Sequence, residues 1–224
     1  MTKLKENDLY LKPEKCEFEK EEIEYLGVIV GRNHLKMSPK KLQGVADWPT
    51  PRTPTKVRRF LGFTGYYRYF IPNYSSIARP LLDLTKKTTP WHWGEQQFKA
   101  FEELKTRMCS SPVLAQPNFD KRFILQVDAS AYGVGAILSQ EGDPSMLTSS
   151  LKQRTKPTLH PVAYYSATFM ATEQNYDIYE QELLAIMKAL AHWRPYLGWT
   201  KIPFVIRTDH ANLQYWKSPR NLNR

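Results

Sequence analysis

Three acidic residues, Asp128, Glu182 and Asp209, have the types and the settings that metal-dependent chemistry needs. Asp128 follows the alternating apolar run 123–127, Asp209 follows a second strand-like run, 204–208, and Glu182 lies inside a strong helical pattern. A carboxylate at the end of a buried strand is costly unless it is paired or bound to a cation. Hard divalent cations prefer such oxygen ligands. The three acids therefore predict a site for divalent ions, of the kind that act in pairs on a phosphodiester.

Each of these residues also has an ordinary structural explanation. An aspartate at the end of a strand often only forms a turn or caps the next helix. Taken singly, each acid is therefore more often structural than catalytic. The order and settings of all three acids together point more specifically to a catalytic role. The sequence around them distinguishes the catalytic interpretation from the structural one.

That surrounding sequence closely resembles the ribonuclease H domain of retroelement polyproteins, in particular the gypsy class of long-terminal-repeat retrotransposons. The resemblance is carried by three stretches: VDASAYGVGAILSQ (127–140), PVAYYSATFMATEQNYDIYEQELLAIMKAL (161–190) and FVIRTDHANLQYW (204–216). It implies that Asp128, Glu182 and Asp209 are the catalytic metal ligands.

The same resemblance implies a substrate, a cofactor and further contact residues. The substrate would be an RNA–DNA hybrid, whose RNA strand is hydrolysed with two Mg²⁺ ions, or Mn²⁺, as the cofactor. Ser166, Asn175 and Tyr176 fall at positions that lie near the substrate in this family.

A fourth carboxylate follows the TDH motif by about one helix in this family, whereas the present sequence stops at Arg224. We therefore expect weak cleavage, or alternatively a non-catalytic remnant that only binds nucleic acid. Asp143, Asp177 and Glu180 are the substitutes within the chain, and Glu180 is a poor one because residues two apart on a helix face different ways. The sequence has no YxDD motif, so no polymerase activity is expected.

The elements that position the acids follow from the apolar pattern of residues 113–224. Strands are predicted at 123–127, 133–139, 162–166 and 204–208, with a helix from about 172 to 193 and a polar loop at 141–161. The helix is predicted to turn an apolar stripe inward: Tyr176, Tyr179, Leu183, Ile186, Met187 and Leu190. The β-β-β-α-β order matches an α/β, ribonuclease H-like fold, a mixed sheet with flanking helices.

Residues 38–112 carry most of the positive charge and are predicted to be helical. They hold 13 Lys and Arg against 5 Asp and Glu, in a chain of formal net charge +10, which favours a polyanionic partner. Helices are predicted at 40–48 after Ser38 and Pro39, at 56–70 with Thr55 as the cap, and at 94–109. The last of these should bury Phe98, Phe101, Leu104 and Met108.

One face of the helix predicted at 56–70 carries Arg58, Gly62 and Tyr66, four residues apart. The stretch RRFLGFTGYYRYFIPNYSSIARPLLDLTKK (58–87) resembles the thumb of the reverse transcriptase in the same polyproteins. That likeness implies that the face lies along the minor groove of a template–primer duplex. The alternative is that the tyrosine and phenylalanine residues of this stretch belong mostly to the core, and that Arg58 and Arg59 lie on a solvated surface.

Residues 1–37 are predicted to end in a hairpin, with strands at 23–30 and 34–37. The pattern L-x-P-x-K-C-x-F followed by YLG-x-x-V resembles the end of the reverse-transcriptase palm. By this resemblance Tyr25, Leu26 and Gly27 belong to the primer-grip hairpin, which holds the primer end. An ordinary buried hairpin is the alternative.

The chain is therefore predicted to be part of a larger polyprotein: the end of a palm at 1–37, a thumb-like subdomain at 38–112 and a ribonuclease H-like domain at 113–224. Cys16 and Cys109 stand too far apart in sequence to suggest a zinc site or a disulfide framework. The sequence shows neither a secretory signal nor an apolar run of membrane-spanning length. The expected partners are an RNA–DNA hybrid and the rest of the polyprotein, without a membrane, in a cytoplasmic particle or the nucleus.

Overall fold

The computed structural model describes residues 2–12, 14, 16–142 and 158–209. They form two four-stranded sheets and seven α-helices, beginning with the short helix α1 (Thr2–Glu6). Every helix among them is too short or too polar to cross a lipid bilayer. Most of the loop predicted at 141–161 lies outside the described residues.

The first sheet is antiparallel, in the order β1-β2-β3-β4. Its strands are β1 (Glu22–Tyr25), β2 (Val28–Gly31), β3 (His34–Met37) and β4 (Leu114–Ala115). The single strand predicted at 23–30 is wrong, because Leu26 and Gly27 take positive φ angles of 52° and 81° and turn the chain back. The sequence does not predict β4, since two residues are too few to show an alternating pattern. This strand joins the first sheet although it lies beyond the predicted boundary at residue 113.

Four helices lie between β3 and β4: α2 (Pro39–Ala46), α3 (Pro54–Tyr66), α4 (Tyr74–Asp83) and α5 (Glu95–Cys109). The predicted cap of α3 is wrong by two residues. Thr53 is the cap, and its Oγ1 accepts a hydrogen bond of 3.3 Å from the backbone N–H of Lys56. Pro54 fits the first turn, where a missing N–H has no consequence. After Tyr66 the chain tightens into a 3₁₀ turn at Arg68–Phe70, so α3 also ends earlier than predicted.

The hairpins and these helices share one hydrophobic core. Its fully buried members include Phe60, Phe70, Leu81, Phe101, Leu104, Met108 and Leu114. The rings of Phe60 and Phe101 lie 4.6 Å apart, centre to centre. The stripe predicted for α5 is correct except at Phe98, which is 48% exposed. The buried face of that helix runs through Ala100 instead.

The second sheet has the order β7-β6-β5-β8. Its strands are β5 (Phe123–Ser130), β6 (Gly133–Glu141), β7 (Leu159–Thr168) and β8 (Val205–Arg207). β5 is antiparallel to β6 and parallel to β8. The predicted β-β-β-α-β order is confirmed. β5 is longer than predicted, so that Asp128 lies within the strand, and the loop between β6 and β7 is shorter because it begins after Glu141 and ends before Leu159.

Helix α6 (Ile178–His192) packs on β5 and β6 and is followed by the short α7 (Arg194–Leu197). The stripe predicted to face inward is wrong at Leu183 and Met187, which are exposed on α6, and at Tyr176, which is exposed ahead of the helix. The buried face consists of Gln181, Glu182, Ala185 and Ala189. The two alanines are small enough for the helix to approach the sheet closely. Glu182 precedes Ala185 by one helical turn and is buried on the same face.

The helical segment packs directly on the second sheet, where α4 and the 3₁₀ turn contact β7. The backbone N–H of Ser75 donates a hydrogen bond of 2.9 Å to Oγ of Ser166. The Arg79 guanidinium lies 4.5 Å from the centre of the Tyr132 ring, a cation–π contact. The two parts of the chain therefore present a joint surface next to the ends of β5 and β6.

Candidate metal and nucleic-acid site

Carboxylate oxygens of Asp128, Glu182 and Asp209 all lie within 4.8 Å of one another. The predicted convergence of the three acids is thus confirmed. Glu182 is only 5% exposed, whereas Asp128 and Asp209 are open to solvent. One carboxylate of the cluster is therefore buried inside the protein, and two remain accessible.

The pairing of two parallel strands brings the aspartates together. Gln126 of β5 pairs with Arg207 of β8. Continuing that register by two residues places Asp209 beside Asp128. Asp128 lies in β5 and Asp209 follows the end of the adjacent strand β8 by two residues, so the spacing between the two strands brings them close together.

Helix α6 brings Glu182 to the aspartates, and its first turn is fixed by side-chain hydrogen bonds. The Oδ1 of Asp177 accepts a hydrogen bond of 2.8 Å from the backbone N–H of Glu180, which caps the helix. The Nε2 of Gln181 donates to the carbonyl oxygens of Gln174 and Tyr176, both at 3.1 Å. These bonds hold the turn that carries Glu182 against the loop before it.

An ion pair between Glu173 and Lys188 fastens the same loop to the middle of α6. The Lys188 Nζ lies 2.8 Å from Oε1 of Glu173, and the backbone N–H of Met170 donates to Oε2 at 2.7 Å. The hydrogen bond from Lys188, followed by that from Met170, lowers the pKa of the Glu173 carboxyl. The pair therefore helps to fix the position of α6 on the sheet.

None of the substitutes considered for a fourth ligand joins the cluster among the residues that the structure describes. Asp177 is engaged as the helix cap. Glu180 is exposed on α6, two residues from the buried Glu182. Asp143 lies outside the described residues.

The acids open onto a cleft of about 400 Å³ between the second sheet and the helical segment. Among the residues that line it are Pro72, Asn73, Gln126, Asp128, Tyr164, Arg207 and Asp209. Burial raises the pKa of the Tyr164 hydroxyl still further above neutral pH, where a tyrosine is protonated in any case. One part of the cleft is thus acidic, and its remaining wall consists of hydrogen-bonding side chains and one arginine.

The lining residues that the sequence does not single out include Asn73, Tyr164 and Arg207. Arg207 has a detectable signal, because it lies two residues before Asp209 and the period of a strand puts both on one face. Tyr164 has the same relation to Ser166. Asn73 has no such signal, since only tertiary packing brings its loop to the sheet.

The residues predicted near the substrate differ in their surroundings. Ser166 is 6% exposed, and its hydroxyl accepts the hydrogen bond from Ser75, so it serves the contact between the helical segment and the sheet. Asn175 and Tyr176 are exposed just before α6. Only the latter two are open to a substrate.

The face of α3 predicted to follow a duplex is open to solvent. Arg58, Gly62 and Tyr66 are all exposed, and nothing would meet a Cβ atom added at Gly62. Arg58 also has a structural contact, because its Nη2 donates a hydrogen bond of 3.1 Å to the carbonyl oxygen of Thr85. Most aromatic residues of the stretch 58–87 are buried, as the alternative predicts, but Tyr66 is an exception, since half of its surface is exposed.

The turn between β1 and β2 presents Tyr25 and Leu26, which are about two-thirds exposed, while Gly27 is buried behind them. A Cβ atom at Gly27 would collide with the hydroxyl of Tyr67 and the side chain of Lys41. The Tyr67 hydroxyl in turn donates a hydrogen bond of 3.5 Å to the Leu26 carbonyl oxygen. The end of α3 therefore supports an exposed apolar turn.

Comparison with protein families identifies one match, to the RNase H-like domain found in reverse transcriptase, over residues 93–206. The chain is also similar to the Tf2-3 and Tf2-4 transposon polyproteins of Schizosaccharomyces pombe. It is 37% identical to each over 213 residues, which cover 95% of this chain and 15% of each polyprotein. The chain thus spans about one-seventh of the length of these relatives, and its resemblance to retrotransposon polyproteins is confirmed.

Two solved structures share the fold. A foamy viral protease-reverse transcriptase dRH in complex with double-stranded DNA matches with a TM-score of 0.72 and 19% identity, over 92% of this chain and 34% of that one. The foamy viral protease-reverse transcriptase in complex with RNA/DNA hybrid matches with a TM-score of 0.68 and 20% identity, over 89% and 25%. These likenesses confirm the predicted α/β fold.

Proposed function

Because the chain belongs to the family of RNase H-like domains found in reverse transcriptases, we propose that it binds an RNA–DNA hybrid and hydrolyses the RNA strand. Asp128, Glu182 and Asp209 are the proposed metal ligands. The observation that carries this proposal is the approach of their carboxylate oxygens to within 4.8 Å. Like charges held so close together repel one another, and a bound cation is the usual compensation.

The donor set fits Mg²⁺ or Mn²⁺, since all three groups offer hard oxygen ligands and two of them face an open cleft. When bound, such ions supply positive charge to a phosphodiester and polarise the attacking water. Glu182 is held by a capped helix and so fixes the ligand geometry, while Asp128 and Asp209 face the substrate side. Asp128 lies on β5, between β6 and β8, and would be one of the residues that hold the ions.

Binding of the hybrid is proposed to use the basic segment 38–112. Its exposed face with Arg58, Gly62 and Tyr66 would follow the duplex, because a glycine between a basic and an aromatic residue allows the backbone to come close to a groove. The exposed turn at Tyr25 and Leu26 would contact the primer strand. The rest of a polyprotein like the relatives is the proposed macromolecular partner.

A second candidate is a non-catalytic domain that binds nucleic acid through the same basic segment. The specific observation in its favour is that the described residues offer three clustered carboxylates and no fourth. It shares every binding residue with the first candidate and differs only in the chemistry.

Cleavage of a labelled RNA–DNA hybrid in Mg²⁺ separates the two. We expect the chain to cleave the RNA strand and Asp128→Asn to reduce the rate by about 100-fold or more, as is usual when charge stabilisation is removed. Asp177→Asn is the matched control, because asparagine also caps a helix and Asp177 lies outside the acidic cluster. Equal rates for the chain and Asp128→Asn would exclude the nuclease proposal, and binding without any cleavage would favour the second candidate.

A further inference from the structure

The wall of the cleft beside the acids comes partly from the helical segment and partly from the second sheet. Pro72 and Asn73 precede α4, yet they line the same cleft as Asp128, Arg207 and Asp209. We propose that Arg207 and Asn73 together bind a backbone phosphate of the nucleic acid beside the acidic cluster. The site would then be a composite of both segments, an inference that rests on the proposed function and adds two substrate-binding residues to it.

Arg207 is placed for this task by the sheet itself. It lies at the end of β8 beside Gln126, in the row of residues next to Asp128 and Asp209. Its side chain is exposed, and among the described residues it makes no ion pair or hydrogen bond, although two carboxylates lie nearby. An arginine with all its donors available offers a planar fork that matches two phosphate oxygens.

Asn73 is directed at the sheet by an unusual local conformation. It has φ 54° and ψ 30°, the left-handed region that asparagine tolerates better than most residues. It occupies the cap position of α4, but its side chain makes no capping hydrogen bond to that helix. Instead Oδ1 lies so close to Gly135 that a Cβ atom there would collide with it.

The sheet pairing places Asn73 near the acids. Gly135 pairs with Asp128 on one side and with Ser166 on the other, so the three residues form one row across β5, β6 and β7. Ser166 holds the N–H of Ser75, two residues after Asn73. The amide of Asn73 is thereby held over the row that contains Asp128, with an NH₂ group that can donate to an anion.

A phosphate is the ligand that this wall fits. The cleft holds one arginine, the Asn73 amide and the neutral Tyr164 hydroxyl, all of which can donate hydrogen bonds to phosphate oxygens. A nucleic acid has phosphates at regular intervals on both sides of the one that is cleaved. One such neighbour would be held by the wall, and the scissile phosphate would thereby be kept in register with the acids.

The test measures binding of the whole chain to a labelled RNA–DNA hybrid at several salt concentrations, with a chelator present to prevent cleavage. Arg207→Gln should weaken binding and reduce the slope of log affinity against log salt by about 0.9, the contribution of one neutralised phosphate. Arg122→Gln is the control, since Arg122 is also exposed but lies at the opposite end of β5. Asn73→Gly keeps the backbone conformation and removes the amide. It should weaken binding with little change in slope, and Asn73→Asp should weaken it further by repelling the phosphate.

In Mg²⁺, Arg207→Gln should also spread the cleavage positions along the RNA strand, because without the arginine the neighbouring phosphate no longer fixes the register. A salt slope for Arg207→Gln equal to that of the unaltered chain would overturn the inference, even if cleavage itself is normal. If the unaltered chain does not bind the hybrid at all, the proposed function fails and the composite site fails with it. Thermal unfolding of each variant excludes loss of folding as the cause of weaker binding.

Discussion

The backbone N–H of Ser75 donates a hydrogen bond of 2.9 Å to Oγ of Ser166, a residue 91 positions later in the sequence. The bond joins the first turn of α4 to the last part of β7. Two residues before Ser75, Asn73 reaches Gly135 and the cleft of the acidic cluster. The contact therefore fixes the position of the helical segment relative to the acidic cluster.

Removing this hydrogen bond should destabilise the protein. In Ser166→Ala the partly buried N–H of Ser75 loses its acceptor, which costs about 1 kcal/mol of unfolding free energy. Urea unfolding monitored by tryptophan fluorescence measures the loss. Ser76→Ala is the control, because Ser76 is exposed on the same helix. An unchanged urea midpoint for Ser166→Ala would show that the bond does not hold the two parts together.

Mg²⁺ should stabilise the folded chain through the acidic cluster. An ion that binds only the folded state adds about 2.7 kcal/mol at 100 times its dissociation constant. Glu182→Gln should abolish most of this increase, since it removes the buried ligand. Glu180→Gln, on the same helix but outside the cluster, should keep it. Melting temperatures with Mg²⁺ and with a chelator supply the comparison, and an equal shift for both variants would place the ion elsewhere.

The ion pair of Glu173 and Lys188 should make stability depend on pH in the acid range. The pKa of Glu173 is lowered in the folded protein by its hydrogen bonds from Lys188 and Met170. Its contribution is therefore complete above the pKa of the unfolded chain, near 4.5, and is lost as the pH falls through the lower folded value.

We accordingly expect Glu173→Gln to reduce the unfolding free energy at pH 7 and to have a much smaller effect at pH 3. Urea unfolding over this pH range measures both. Glu102→Gln on α5 serves as the control at a more exposed position. A loss that is the same at both pH values would mean that the carboxylate charge plays no part.

The exposed face of α3 should account for a defined part of the salt dependence of hybrid binding. Arg58→Gln should reduce the slope of log affinity against log salt by about 0.9, the contribution of one neutralised phosphate. The control Lys99→Gln changes an exposed charge on α5 that is already paired with Glu95. If both variants change the slope equally, net charge rather than this face controls binding.

Substitution of Leu26 by asparagine should increase stability and weaken hybrid binding. A leucine at φ 52° is strained by about 1 kcal/mol or more, whereas asparagine tolerates that conformation. Leu26→Asn should therefore stabilise the chain by roughly that amount and weaken hybrid binding, because the turn would no longer offer an apolar side chain to the primer strand. Glu19 has φ 55° outside this turn, so Glu19→Asn should stabilise without weakening binding. Unchanged affinity for Leu26→Asn would remove this turn from the proposed interface.

The sequence alone determined which residues form the acidic cluster and the order of the elements that carry them. Alternating apolar residues before Asp128 and Asp209 mark strands, and the pattern around Glu182 marks a helix, because burial on one face leaves a period of two or of 3.6. The same local pattern predicts most of the buried residues of α5. A count of charged residues is enough to locate the positive charge in residues 38–112. They mislead on α6, where the buried face consists of two alanines, a glutamine and Glu182 rather than the large apolar residues.

Only the tertiary structure decided what lies beside the acids and what completes the first sheet. β4 is two residues long, and the position of Asn73 depends on the packing of α4 against β7, so neither leaves a periodic pattern in the sequence. For the same reason the sequence does not show that Ser166 joins two parts of the chain through its hydrogen bond with Ser75. Such contacts join residues far apart in the chain. They depend on how folded helices and strands fit together and form hydrogen bonds, and the local sequence does not encode that fit.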